Sequence, residues 1–201
     1  MNTVTSNAIV VGLDRSDPGR AAVEYAADLA NRRHLPLLLL HAFEPSQYAV
    51  GPMIGWVPNV ESVLRNSAQR LVDDTAEVLA ILYPDLEVSA SIAASSATEM
   101  LIEASQDAYT IVLGSRGSGG FADLVIGSTT LHVASHAACA VIAVPGLPNG
   151  EEAPRHGVVV GVDGSEVSAA AVAYAFEAAS DVGETLRPCM RGTTRHTQGS
   201  A

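Results

Sequence analysis

The stretch Ile111 to Pro145, IVLGSRGSGGFADLVIGSTTLHVASHAACAVIAVP, reads as a strand, a glycine-rich loop, a helix and a second strand. Ile111 to Leu113 is a short apolar, β-branched run of the kind that forms a buried parallel strand, and it stops at Gly114. The loop runs through Gly114, Gly117, Gly119 and Gly120 and closes at Gly127-Ser128-Thr129-Thr130. An apolar spacing through Leu131, Ala134 and Ala138 then predicts a helix. Such a helix start is an anion site, because its first N–H groups lack partners and the helix dipole is positive there. The glycines by themselves are equally what a tight turn with φ > 0 requires.

Composition bounds the class. A chain of 201 residues with 48% hydrophobic content can bury one core and leave a remainder. The net charge of −11 argues against nucleic acid and anionic membrane surfaces as partners. The longest apolar run, Leu35 to Leu40, is broken by Pro36 and is far short of a spanning helix. The N-terminus lacks the basic and apolar regions of a signal peptide, so a cytoplasmic protein is expected. Cys139, in an expected buried strand, and Cys189 form no disulfide framework.

All eleven basic side chains are arginine. The absence of lysine excludes a Walker-A phosphate loop, a pyridoxal Schiff base and a protein kinase strand lysine. Nucleotide binding here must rest on backbone N–H groups, hydroxyls and arginine.

From the start, Ala8 to Leu13 is an apolar strand, and a helix follows to about Arg33, with Asp17 expected as its N-cap ahead of Pro18. Ala22, Val23, Ala26 and Ala30 give that helix a small apolar face. Leu35 to Ala42 is the second strand, and strand, helix, strand implies a parallel pair with a right-handed crossover. Phe43 to Pro58 is a loop, long enough to be functional, and also readable as a partner-facing connection. A helix from about Asn59 to Leu82 carries Val60, Val63, Leu64, Ala68, Leu71, Val72, Ala76 and Leu79 on one stripe. Leu86 to Ala93 is a third strand, and Ser96 with Glu99 has capping-box spacing for a helix to about Ser105. His132 and His136 stand four apart on one helix face, but no third metal ligand accompanies them. No nucleophile and base pair presents itself.

Gly114, two residues, Gly117, nine residues, then Gly127-Ser128 resembles the Gly-x2-Gly-x9-Gly-Ser/Thr signature of the nucleotide-binding branch of the universal stress protein family, as does the Val144-Pro145 ending. The resemblance implies an α/β doubly wound, Rossmann-like sheet of five parallel strands in the order 3-2-1-4-5 over residues 1–145. That order brings the first and fourth strands together at the topological switch, where a mononucleotide sits. It further implies that Gly12, Leu13 and Asp14 line the nucleoside and that Ala42, after His41, faces the adenine through its backbone. Leu113, Gly114, Arg116 and Gly117 would wrap ribose and phosphates, and Gly127, Ser128, Thr129 and Thr130 would donate to phosphate oxygens. Arg116 could add a charge-assisted contact, and Asp14 is alternatively a helix-entry turn residue. The ligand implied is ATP, with Mg²⁺ as an optional companion. Hydrolysis is expected to be slow at most, since no base for water is evident. A homodimer through the strand Ala140 to Pro145 is also implied, and a nucleotide-independent scaffold of the same fold is the competing class. The loop from Phe43 would then be a flap near the nucleotide.

Residues 146–156 read as a linker, and beyond it the chain begins again. Val158-Val159-Val160-Gly161-Val162-Asp163 repeats Ile9-Val10-Val11-Gly12-Leu13-Asp14 at a constant offset of 149. Ser165 matches Ser16, Val172 matches Val23 and Tyr174 matches Tyr25. Residues 157–186 are therefore expected to start a second domain of one strand and one helix, without a glycine loop and without nucleotide. Leu186 to Arg191, LRPCMR, is expected not to form a buried strand, and 187–201 to be a disordered tail. Back-translation of Arg187 to Gly192 in a shifted frame permits Ala-Val-His-Ala-Trp, with the His and Ala codons at 190 and 191. A frameshift near residues 183 to 187 is accordingly expected to truncate a tandem protein.

Overall fold

The computed structural model describes residues 6–44, 60–117, 126–146 and 157–190. Most of the expected loop from Phe43 to Pro58, the loop glycines 119 and 120, most of the linker and the tail from 191 lie outside the described residues. The chain divides into two compact units, Met1–Asn149 and Gly150–Ala201.

The first unit alternates strand and helix. In chain order it contains β1 (Ile9–Gly12), α1 (Asp17–Arg33), β2 (Leu37–Ala42), α2 (Val60–Leu82), β3 (Val88–Ala93), α3 (Ala97–Ala104), β4 (Thr110–Gly114), α4 (Ser128–His136) and β5 (Ala140–Val144). The strands form one sheet in the order β3-β2-β1-β4-β5, with every pair parallel. This is the doubly wound order expected from the sequence. β1 lies at the centre, and Ile9, Val10 and Val11 are fully buried.

Both faces of the sheet are covered, which is why the inner strands are continuous apolar runs and not alternating ones. On one face Ile9, Val11, Leu13, Leu37 and Leu39 pack against α1 and against Val72 and Leu79 of α2. On the other, Val10, Leu38, Leu40, Ile111 and Leu113 pack against Leu101 and Ala104 of α3 and Val133 of α4. Small residues let α1 approach closely: Ala22, Ala26, Ala27 and Ala30 are all fully buried.

Local details differ from expectation at several points. Ser16, not Asp17, caps α1: its side chain accepts a bond from the Gly19 amide, while Asp17 occupies the first turn and pairs with Arg20. A side chain one residue earlier reaches the third helical N–H, as N-capping geometry requires. Ser96 precedes α3 as expected but makes no side-chain cap bond. On α2, Ala68, Val72 and Leu79 are buried, whereas Val63 leaves the stripe and is exposed. Cys139 is half-buried and precedes β5.

The second unit contains β6 (Val158–Val162), α5 (Glu166–Val182) and β7 (Leu186–Met190). The expectation of a single strand is thereby corrected, as is that of disorder at residues 187–190: β7 pairs in parallel with β6 from Val158↔Leu186 to Val162↔Met190. The strand is an exposed one, and Pro188 is compatible with it because β7 lies at an edge. Val158 N donates to Thr185 O, so Thr185, Arg187 and Cys189 direct their backbones toward β6. The N–H that proline lacks therefore falls on the outer side, where no ladder bond is lost. The repeat extends to register, since Val158↔Leu186 and Gly161↔Cys189 are Ile9↔Leu37 and Gly12↔Leu40 displaced by the same offset.

Candidate functional site

The carboxyl ends of β1 and β4 stand side by side, paired through Ile9↔Thr110 to Val11↔Val112. Two glycines sit in tight surroundings here, Gly12 under the Leu113 side chain and Gly114 against the start of α1. A Cβ at Gly12 would lie 2.5 Å from Leu113 Cδ2, and one at Gly114 would lie 2.7 Å from the carbonyl carbon of Pro18. Leu13 continues β1 by one more bond, its N–H donating to Leu40 O at 2.8 Å. Asp14 then begins the turn into α1.

The Asp14 carboxylate is held by that turn. Its Oδ1 accepts from the Ser16 amide at 3.0 Å and from the Ser16 hydroxyl at 2.6 Å, and Ser16 Oγ accepts from the Gly19 amide at 3.0 Å. Glycine at position 19 leaves the carboxylate this place, because a Cβ there would fall 2.0 Å from Asp14 Oδ1 and displace it. Oδ2 is turned toward the glycine loop, where a Cβ on Gly117 would stand 3.2 Å away. Asp14 thus has both the turn role and a position facing the loop.

Backbone bonds tie the loop after β4 to its neighbours. Ser115 N donates to Val144 O at 2.6 Å, and Gly127 N donates to Ser115 O at 2.7 Å. Gly127 is the N-cap of α4 and has no side chain to fill the helix end. The first bond of α4 runs from Leu131 N to Gly127 O, so the amides of Ser128, Thr129 and Thr130 have no partner within the helix. Ser128 and Thr129 are exposed. Thr130 differs: it is buried, and its Oγ1 donates to Gly114 O at 2.9 Å. Its hydroxyl is therefore part of the loop's frame, which leaves its amide as the group for an anion.

The residues expected from the sequence are largely brought together. Gly12 lies against Leu113, Asp14 against Gly117, and Gly127 against Arg116 and Gly117, at the carboxyl ends of β1 and β4, and Ala42 stands at the end of β2. The carbonyl of Arg116 lies 3.4 Å from Ser16 Oγ. Ser16 and Gly19 were not among the expected site residues. The spacing Asp-x-Ser-x-x-Gly carries them, and its copy Asp163-x-Ser165-x-x-Ser168 makes the same bonds, with Asp163 Oδ1 accepting from Ser165 N at 2.9 Å and Oγ at 2.7 Å. Those bonds hold the Asp163 carboxyl below its ordinary range. His132 and His136 stack with ring centroids 4.4 Å apart, and His136 Nδ1 lies 2.9 Å from His132 O. Among the described residues no three His, Cys, Asp or Glu side chains gather as a metal site.

A doubly wound parallel sheet with a glycine-rich turn, a carboxylate and a helix N-terminus at its switch point defines an α/β protein. The profile of the universal stress protein family matches residues 6–145, and the chain belongs to that family. A universal stress protein of Mycobacterium tuberculosis strain H37Rv is 33% identical over 183 residues, which cover 88% of this chain and 60% of that relative. The chain thus spans about 60% of that protein's length. A universal stress protein of Archaeoglobus fulgidus, solved in complex with dAMP, has a TM-score of 0.50 at 20% identity, covering 69% of this chain and 97% of its own. Another universal stress protein, solved in complex with cAMP, has a TM-score of 0.51 at 19% identity, covering 71% of this chain and 99% of its own. These two likenesses speak for the fold. Among the described residues no helix is long and apolar enough to cross a membrane.

Proposed function

We propose that the chain is an ATP-binding universal stress protein, a regulatory nucleotide binder of the cytoplasm with at most slow hydrolysis. The observation that carries this reading is the approach of Gly117 to the Asp14 carboxylate beside the open N-terminus of α4. The amides of Ser128, Thr129 and Thr130 suit phosphate oxygens, and the glycines leave room for the backbone to approach them. Gly12, Leu13, Asp14 and the backbone of Ala42 would line the nucleoside, and Leu113, Gly114, Arg116 and Gly117 the ribose and phosphates. Two similarly folded universal stress proteins were solved with dAMP and with cAMP, which supports a nucleotide as the ligand.

Calorimetric titration with ATP and Mg²⁺ tests the reading. It should give one saturable site per chain, weakened strongly by Asp14→Ala in a variant that remains folded. A folded wild-type chain that takes no ATP would sink it.

The second reading is a dimeric scaffold. β5 is an edge strand of the sheet, and its sequence AVIAV is apolar throughout, so a second copy is a suitable cover. A measured mass of two chains without nucleotide would favour it.

A further inference from the structure

Parallel strands turn successive residues to opposite neighbours, and this alternation identifies the direction of each amide in β2. Leu37 N donates to Glu87 O and Phe43 N donates to Ala93 O, so these odd-numbered residues face β3. Leu40 O accepts from Leu13 N and faces β1. Ala42, two residues beyond Leu40, faces β1 as well. The next rung of the ladder would join Ala42 N–H to Leu13 O.

That rung is replaced. His41 Nδ1 lies 2.7 Å from Leu13 O, and β1–β2 pairing ends at Gly12↔Leu40. A carbonyl only accepts, so Nδ1 carries the proton. The second unit supplies the comparison. The register pairs from Val158↔Leu186 to Gly161↔Cys189 match the first unit at the same offset, but Met190 stands where His41 does, and the pairing runs one step further, to Val162↔Met190. The first unit, with an imidazole on that carbonyl, thus pairs one step less than the second, which has a thioether at the matching place.

We infer that His41 is a positioning residue: its ring takes the Leu13 carbonyl and so keeps the Ala42 N–H out of the ladder, turned to the space beside Asp14 as a donor for a nucleobase. The ligand part of this inference rests on the proposed nucleotide site. The ladder part does not.

The experiment combines amide hydrogen exchange at Ala42 in the free protein with titration by ATP and by inorganic tripolyphosphate, which has no base. His41→Met copies the second unit, and His41→Asn keeps an N–H donor within reach of Leu13 O. In His41→Met, exchange at Ala42 should slow by about tenfold or more as the rung closes. ATP affinity should fall by about three- to tenfold, and tripolyphosphate affinity should stay unchanged. His41→Asn should restore both wild-type values. Equal Ala42 exchange in wild type and His41→Met overturns the ladder switch, whatever the nucleotide does. Slowed exchange with equal losses for ATP and tripolyphosphate, or with no loss at all, overturns the base-donor role. A wild-type chain that binds no ATP defeats the proposed function on its own, while the exchange rates still decide what His41 does to the ladder.

Discussion

Gly117 lies so close to Asp14 that a methyl group added to it would stand 3.2 Å from Asp14 Oδ2. The loop after β4 and the turn after β1 are thereby one structure, although about a hundred residues separate them in sequence. The neighbour at Gly117 is a side chain that can give by a few tenths of an ångström, whereas Gly114 is pressed against the backbone of Pro18 and Gly19. Gly114→Ala is expected to cost about 1–3 kcal/mol of stability, and Gly117→Ala much less. Urea unfolding midpoints check the difference. Gly161→Ala serves as the control, since nothing lies within 4 Å of a Cβ there.

Ser16 joins the cap of α1 to the Asp14 carboxylate. Ser16→Ala should destabilise the first unit by about 1 kcal/mol and weaken ATP binding as well. Ser165→Ala removes the equivalent cap in the second unit and should leave ATP affinity unchanged. Thermal melts and titrations of the two variants distinguish a cap that also sets a ligand from one that does not.

Thr130 and Thr129 are neighbours with different duties. Thr130→Val leaves the Gly114 carbonyl without its buried donor and should cost about 1–2 kcal/mol. Thr129 is exposed, and Thr129→Val should change stability little. Parallel unfolding curves decide between them.

The strands themselves were legible in local sequence, whereas their order and the site residues came from the resemblance of the Gly114, Gly117 and Gly127-Ser128 spacing to the family. Apolar runs closed by Gly12 and Gly114 mark strand ends, and parallel strands with crossover helices leave few possible orders. Bonds between distant residues were not legible. The bond from Thr130 Oγ1 to Gly114 O and that between the His41 ring and Leu13 O depend on which atoms the fold brings within reach. The cap of α1 was read one residue late because Ser16 and Asp17 are both good capping residues and only geometry tells which reaches Gly19. β7 was missed because Arg187 and Pro188 are poor in a buried strand, and it forms as an exposed edge where neither is buried.

The two cysteines should react at different rates. Burial pushes the Cys139 thiol above its ordinary value of 9.0, while Cys189 is exposed. The thiolate is the nucleophile, so iodoacetamide at pH 8.5 should label Cys189 first, as peptide mass analysis would record. The same shift has a stability consequence. An acid whose folded-state pKa is raised keeps its proton longer in the folded chain, so the linked stability is whole below 9.0 and declines as pH rises above it. Cys139→Ala should flatten that alkaline decline in melting temperature.

Amide chemical-shift mapping during ATP addition tests the central claim most directly. The account predicts that shifts concentrate at Gly12 to Asp14, Ala42, Leu113 to Gly117 and Ser128 to Thr130, with Asp163 to Ser168 unmoved. Saturable shifts centred on Asp163 to Ser168, or a spectrum that ATP leaves unchanged, would contradict it.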